Sequence, residues 1–187
     1  GIFAPSEDVA RLIFFGLYAL QHRGQESSGI VVSDGSQMRR HAAAGLVSQV
    51  FDEEVLARLR GFAGIGHNRY STTGSSSPAN AQPLVVSGPA GTLALAHNGN
   101  IVNARELRQE LESRGFRFKT GTDSEVIANL ILASPGTDWT ERVAAAARRL
   151  VGAYSLTLLT QDSLMAVRDP LGVRPLCLGH VGAHPVV

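Results

Sequence analysis

A single cysteine in 187 residues excludes an internal disulfide framework and any metal or cluster site built on thiolates. Charge bias is absent too: 17 Lys and Arg stand against 16 Asp and Glu, a formal net charge of +1. The basic residues are scattered, with Arg39–Arg40 and Arg148–Arg149 the only adjacent pairs, so there is no electrostatic footprint for nucleic acid. No apolar run approaches the roughly 18 to 20 residues of a membrane span, and no signal-peptide pattern opens the chain. The expectation is a soluble, cytoplasmic protein with neither a membrane nor a nucleic-acid partner. No G-x-G-x-x-G or P-loop pattern follows any apolar run, so the usual nucleotide fingerprints are missing as well. The one cysteine, Cys177, lies in the apolar, strand-like run RPLCLG and reads as a small buried hydrophobe.

The chain is 44% hydrophobic and 18% charged, which suits one domain with a full-sized core. After a short apolar GIF, Ser6 is placed to cap a helix that carries Val9, Leu12, Ile13, Leu17 and Leu20 at helical spacing. GIVVSDG reads as a strand entering a turn, GLVSQVF as a second short strand or its continuation, and DEEVLARL as a short helix with its acids first. FAGIGHNRYST and TLALAHNG are apolar strands ending in polar residues, joined through the loop TGSSSPANAQP. ARELRQELESRG is a helix with Gly115 just past its end, and TDSEVIANLILA is a second. DWTERVAAAARRLVG is a third, with Asp138 and Glu141 at capping-box spacing. The tail reads as strands turning at Gln161–Asp162 and at Pro170–Gly172, and GHVGAHPVV has no evident closing element. Strands first and last with consecutive helices between them predict an α+β fold of antiparallel sheets, rather than a parallel sheet with alternating crossovers.

Four polar clusters interrupt apolar segments: QHRGQESSG at 21–29, GHNRYSTTG at 66–74, HNGN at 97–100 and GTDSE at 121–125. The residues alone leave each open. Asn98 and Gly99 could turn the chain at a strand end or supply a pair of donors to an oxyanion. Asp123 could cap a helix or bind a cation, Arg69 could pair with a structural carboxylate or bind a substrate acid, and Arg23 could snorkel from a helix end. His22, His67 and His97 have no acid or second histidine at metal-ligand spacing, so structural roles are expected and no metal.

Taken together and in order, LYALQHRGQESSGI, GHNRYSTTG, HNGNIVNA and RDPLGVRPL resemble the glutaminase domain of class II amidotransferases, and more narrowly that of the glutamine phosphoribosylpyrophosphate amidotransferases. The resemblance covers nearly all of residues 1–187. It implies a four-layer α/β/β/α sandwich of the Ntn hydrolase type, with two antiparallel sheets between helix layers. It also implies hydrolysis of glutamine to supply ammonia for phosphoribosylamine synthesis, the first step of purine biosynthesis. Arg69 would hold the substrate α-carboxylate and Asp123 its ammonium; Asn98 and Gly99 would form the oxyanion hole. Tyr70 and Thr72 would line the same loop as Arg69, and Arg23 would position chain near the nucleophile. No cofactor is implied in this domain. Phosphoribosyl pyrophosphate and Mg²⁺ would be bound by a phosphoribosyltransferase domain absent from this sequence, and a homo-oligomer is expected. The glutaminase halves of glucosamine-6-phosphate synthase or asparagine synthetase fit QHRGQES and RYSTTG less well, and a glutamine-binding module without a nucleophile is a further alternative.

The family begins at a catalytic cysteine, whereas this sequence begins at Gly1. As written the chain is therefore expected to be inactive and incomplete at both ends. Gly1 could be the second residue of the family's Cys-Gly-x-x-Gly opening or its fifth; the fifth is preferred, because a strand shortened by three more residues would withdraw its end by roughly 10 Å.

Overall fold

The computed structural model describes residues 1–70 and 78–187. In chain order the elements are β1 (Ile2–Phe3), α1 (Val9–Ala19), β2 (Ser27–Ser33), β3 (Met38–Ala44), α2 (Val47–Val50), α3 (Glu53–Arg58), β4 (Ala63–Arg69), β5 (Leu84–Gly88) and β6 (Gly91–Ile101). They continue with α4 (Ala104–Ser113), α5 (Asp123–Ala133), α6 (Trp139–Ala147), β7 (Gly152–Leu159), β8 (Leu164–Arg168), β9 (Gly179–Val181) and β10 (His184–Val186). Two antiparallel sheets result, one in the order β3-β2-β4-β1-β10-β9 and the other β5-β6-β7-β8.

Period-two alternation within buried strands assigns each sheet face. In β2, Ile30 and Val32 join Val9, Ile13 and Leu17 of α1 in an outer core, while Val31 faces the other sheet. In β6, Leu93 and Leu95 pack under α4, α5 and α6, while Ala94 and Ala96 point inward. The inner seam of Val31, Ala63, Ile65, Ala94, Ala96 and Leu159 is small-chained, which lets the sheets close. The order helix, sheet, sheet, helix is the expected four-layer α+β sandwich. Helix α5 is buried from Ser124 to Leu132, because α4, α6 and the sheet enclose an element that is apolar on most sides. Past α4, Gly115 takes φ +89° and the N–H groups of Phe116 and Gly115 donate to Leu111 O and Glu112 O, a Schellman closure. Among the described residues no helix is long and apolar enough to cross a membrane.

Several expectations need correction. Helix α1 is capped by Asp8, whose carboxylate accepts from Arg11 N, and not by Ser6. GLVSQVF forms the single turn α2, in which Gln49 Oε1 accepts from Leu46 N; the partner strand of β2 is the polar β3. At α6, Asp138 accepts from Glu141 N, but the Glu141 carboxylate turns to Thr137 N, so only half of the capping box forms. GHVGAHPVV does close the sheet, as the β9–β10 hairpin whose Val186 pairs with Ile2. Cys177 is exposed, because 174–178 crosses the surface without strand pairing.

Candidate active site

A cleft of about 550 Å³ opens where the ends of β4 and β6, the start of α5, the turn Gln21–Arg23 and the loop after β8 converge. Its lining includes Arg23, Arg69, Tyr70, Asn98, Gly99 and Asp123. Six of the seven residues singled out in the sequence therefore face one space; the seventh, Thr72, lies outside the described residues.

HNGN is not a turn. Strand β6 runs straight through it to Ile101, paired with β7 in the register Gly99↔Tyr154. Antiparallel ladders alternate, so every second residue sends its N–H away from the neighbouring strand. Here β5 covers β6 only as far as Leu95, leaving an open edge. Along it, His97 N–H donates to Gln82 Oε1 at 2.7 Å and Ile101 N–H to Asp123 Oδ2 at 3.2 Å. Gly99 lies midway, and its N–H has no acceptor among the described residues, so it points to the cleft as a free donor. Glycine is required there by β7 and not only by a ligand: a Cβ would lie 2.1 Å from Ala153 O and 2.9 Å from His97 Nε2, at φ +155°. The neighbouring Asn98 side chain is exposed to the cleft.

Asp123 is the first residue of α5, but the cap is Thr122, whose side chain accepts from Glu125 N. The carboxylate is thus spared capping and stands partly exposed at the positive end of the helix. Arg69 is buried and its guanidinium pairs with Glu26. That pairing uses Nη1, and the fork carries further donors. Arg23 and Tyr70 are exposed at the rim.

Behind these groups lies a buried network that the motifs alone did not assign. Gln82 Nε2 donates to Ser124 Oγ at 3.1 Å, and Ser124 Oγ lies 3.0 Å from His97 Nδ1. Ser124 Oγ thus links the Gln82 amide to the His97 ring, the tautomer deciding which of the hydroxyl and Nδ1 donates. Burial holds His97 below the ordinary histidine range against the opposing pull of Asp123, so it is neutral. His67 Nε2 reaches His97 O at 3.2 Å, and burial takes the His67 pKa down to about 4. Both rings are thus neutral and tied into the fold behind the cleft, and His22 is exposed. Among the described residues no three His, Cys, Asp or Glu side chains group as a metal site would.

Arg174 also lines the cleft, a residue given no role from sequence. Its loop is wound around Asp169, a buried carboxylate that accepts from the N–H groups of Tyr154, Leu171, Val173 and Arg174. Burial pushes its pKa up, and those amides outweigh it, keeping the group below the usual carboxylate range. Its place inside RDPLGVRPL was the available signal.

Two antiparallel sheets between helix layers thus bring a buried arginine, a helix-end carboxylate and an open strand edge around one cleft. The chain belongs to the glutamine amidotransferase domain family, whose model matches residues 67–186. Among curated proteins it is 54% identical over 180 residues to an amidophosphoribosyltransferase of Synechococcus elongatus, covering 95% of this chain and 36% of that protein. It is 51% identical over 174 residues to that of Methanocaldococcus jannaschii, covering 92% and 37%. Of solved structures, the glutamine phosphoribosylpyrophosphate amidotransferase of B. subtilis, complexed with ADP and GMP, superposes with TM-score 0.90 at 39% identity, over 98% of this chain and 40% of that one. The chain thus has the Ntn hydrolase fold of those enzymes, and spans a little over a third of the length of the curated relatives it matches.

Proposed function

We propose that this chain is the glutaminase domain of an amidophosphoribosyltransferase, releasing ammonia from glutamine for phosphoribosylamine synthesis at the first step of purine biosynthesis. The observation that carries this reading is the free Gly99 N–H on the open edge of β6, set in one cleft with Arg69 and Asp123. Arg69, steadied by Glu26, holds the glutamine α-carboxylate with its remaining donors, and Asp123 takes the ammonium, so opposite charges fix the two ends of the amino-acid group. The carboxamide then lies over β6, where Asn98 and Gly99 N–H stabilise the oxyanion. Tyr70 and Thr72 serve substrate binding alongside Arg69, and Arg23 orders the chain beside the nucleophile.

The nucleophile in this reading is the thiol of a cysteine four residues upstream of Gly1. The register of β1 on β4, Ile2↔Gly64 and Phe3↔Ala63, supports that spacing: continued upstream, it sets the first added residue opposite Gly66 and the fourth opposite Arg69, beside the cleft. An α-amino group with a pKa near ~7.7 to 8 serves as the base for the thiol on its own residue. The thiolate attacks the carboxamide carbon, the tetrahedral oxyanion collapses with loss of ammonia to a thioester, and water releases glutamate. The chain's own Cys177 is not among the residues lining the cleft, and the chain without the upstream thiol is inactive. No metal takes part in this domain. Mg²⁺ and phosphoribosyl pyrophosphate belong to the remaining two thirds of the protein, which we take to be a cytoplasmic homo-oligomer.

The full-length protein should release glutamate from glutamine and form phosphoribosylamine, not glucosamine 6-phosphate, and replacing the upstream cysteine by serine should abolish both. Glutamine binding without glutamate release, or full activity in the serine variant, would overturn the assignment.

A further inference from the structure

The glutamine anchor and the oxyanion donor stand on different sheets. Arg69 ends β4 in one, Gly99 lies on β6 in the other, and no backbone ladder joins them. The seam between the sheets is made of apolar contacts, which hold the layers together without fixing their relative slide. At the end far from the cleft, Ser33 Oγ donates to Gln161 O at 2.5 Å. Nearer the cleft, Arg40 of β3 donates to Ala81 O and Pro83 O in the segment entering β5, and β4 is joined directly to β6 by His67 Nε2–H to His97 O, 3.2 Å.

Its placement suits a spacer. His67 lies two residues before Arg69, and His97 two residues before Gly99. The acceptor is also fixed: His97 is held at its N–H by Gln82 Oε1 and at Nδ1 by Ser124 Oγ. Stability alone does not explain an imidazole there. His67 Nδ1 is buried with no partner, so the ring carries an uncompensated desolvation cost that an apolar side chain would avoid. Its pKa of about 4, lowered by burial and by the adjoining His97 and Arg69, keeps Nε2–H a neutral donor through the physiological range.

We propose that His67 is a positioning residue for glutamine hydrolysis: its hydrogen bond to His97 O sets the separation between the Arg69 anchor on β4 and the Asn98–Gly99 oxyanion donors on β6. The inference rests on the glutaminase reading above. His67 lines the cleft, but in the glutaminase reading Arg69 and Asp123 take the two charged ends of glutamine, so loss of His67 leaves ground-state binding in place and misaligns the transition state, a fault that shows in kcat.

The test is steady-state glutaminase kinetics of the full-length protein and two variants of similar side-chain volume, His67→Met, which fills the space without a donor, and His67→Gln, which restores one. The expected result is a fall in kcat of about 10-fold or more for His67→Met with KM within about 3-fold of the parent, and kcat within about 3-fold of the parent for His67→Gln. An unchanged kcat in His67→Met, a loss confined to KM, a His67→Gln variant as slow as His67→Met, or a His67→Met protein that does not fold would each overturn the inference while leaving the glutaminase reading intact. A parent protein that releases no glutamate overturns both.

Discussion

Acid should weaken this fold through His67, by an amount that can be worked out. The His67 side chain stands behind the cleft with its Nδ1 buried, facing Arg69 and His97, and its pKa falls from 6.5 to about 4 on folding, chiefly through burial. Between those values the unfolded chain binds a proton that the folded chain refuses, so stability must fall as pH falls. The contribution is complete above about pH 6.5, erodes on acidification, and is fully lost below about pH 4. Taking one site with those two values, lowering the pH from 7 to 5 removes about 2 kcal/mol of unfolding free energy. At a urea slope of about 2 kcal/mol/M this moves the midpoint by roughly 1 M. Other groups titrate over the same range, His97 among them with its pKa shifted in the same direction, so the informative quantity is a difference. Urea unfolding of this chain and of its His67→Gln variant at both pH values should show the parent losing about 2 kcal/mol more than the variant, which has nothing to protonate at that site. Equal losses in the two proteins would mean that His67 is hydrated or already charged in the folded state, and the buried tie to His97 O would fall with it.

Arg69→Lys should raise the KM for glutamine in the full-length protein about 10-fold or more, because a point charge already facing Glu26 cannot also present a fork to a carboxylate; an unaltered KM would remove Arg69 from the anchor role. Asn98→Ala should lower kcat by roughly 10²-fold with KM little changed, measured as glutamate release. Asp169→Ala should lower the urea midpoint of this chain, since it strips the acceptor from the buried Tyr154 N–H and from the Leu171 and Val173 amides of the exposed turn; an unchanged midpoint would mean that water replaces the carboxylate at no cost.

The parts of the fold readable in sequence were those whose patterns tertiary packing reinforced. Strands β2, β4, β6 and β7 carry short apolar stretches because their middles lie inside the sandwich, and α4 shows its stripe because one face meets solvent. Strand β3, MRRHAAA, is an edge whose outward residues are polar, so its pattern carried no strand signal; Arg40 spends its guanidinium on Pro83 O and Ala81 O. Strands β9 and β10 are too short to show a period, and what makes them strands is the neighbouring β1. The apolar run at Cys177 misled for a related reason: hydrophobicity argues for burial only when an element is available to pack against, and Leu178 stands exposed beside it. At the cleft, the residues picked from motifs converge, yet the same motifs also contain the groups that hold the cleft in shape. Asn68 donates to Leu17 O and accepts from Ser28 Oγ, and Gln21 ties Gly24 O to Val47 N. Residue type cannot separate a holder from a reactant, because both need polar side chains at element ends.

Position 99 carries that distinction furthest, and Gly99→Ala argues it through. A glycine beside an oxyanion is ordinarily explained by the approach of substrate, which would make alanine a catalytic lesion in a sound fold. In this structure the obstacle is on the protein side. The added methyl would meet Ala153 O at 2.1 Å and Tyr154 Cα at 2.7 Å, backbone atoms of β7 that cannot turn aside as a flexible side chain would. Relief requires β6 to lift from β7 at the middle of the longest pairing in the smaller sheet, where His97, Asn98, Gly99 and Asn100 all have partners. Displacement would carry His97 off its bonds to Gln82 and Ser124, and overpacking with a backbone shift in a core of this kind costs about 1 to 3 kcal/mol or more. Gly99→Ala should therefore lower the urea midpoint of this chain as well as the turnover of the full-length protein. A variant with the parent's stability and lost turnover would place the need for glycine at the substrate, and would show that β6 and β7 lie further apart than their register in this structure allows.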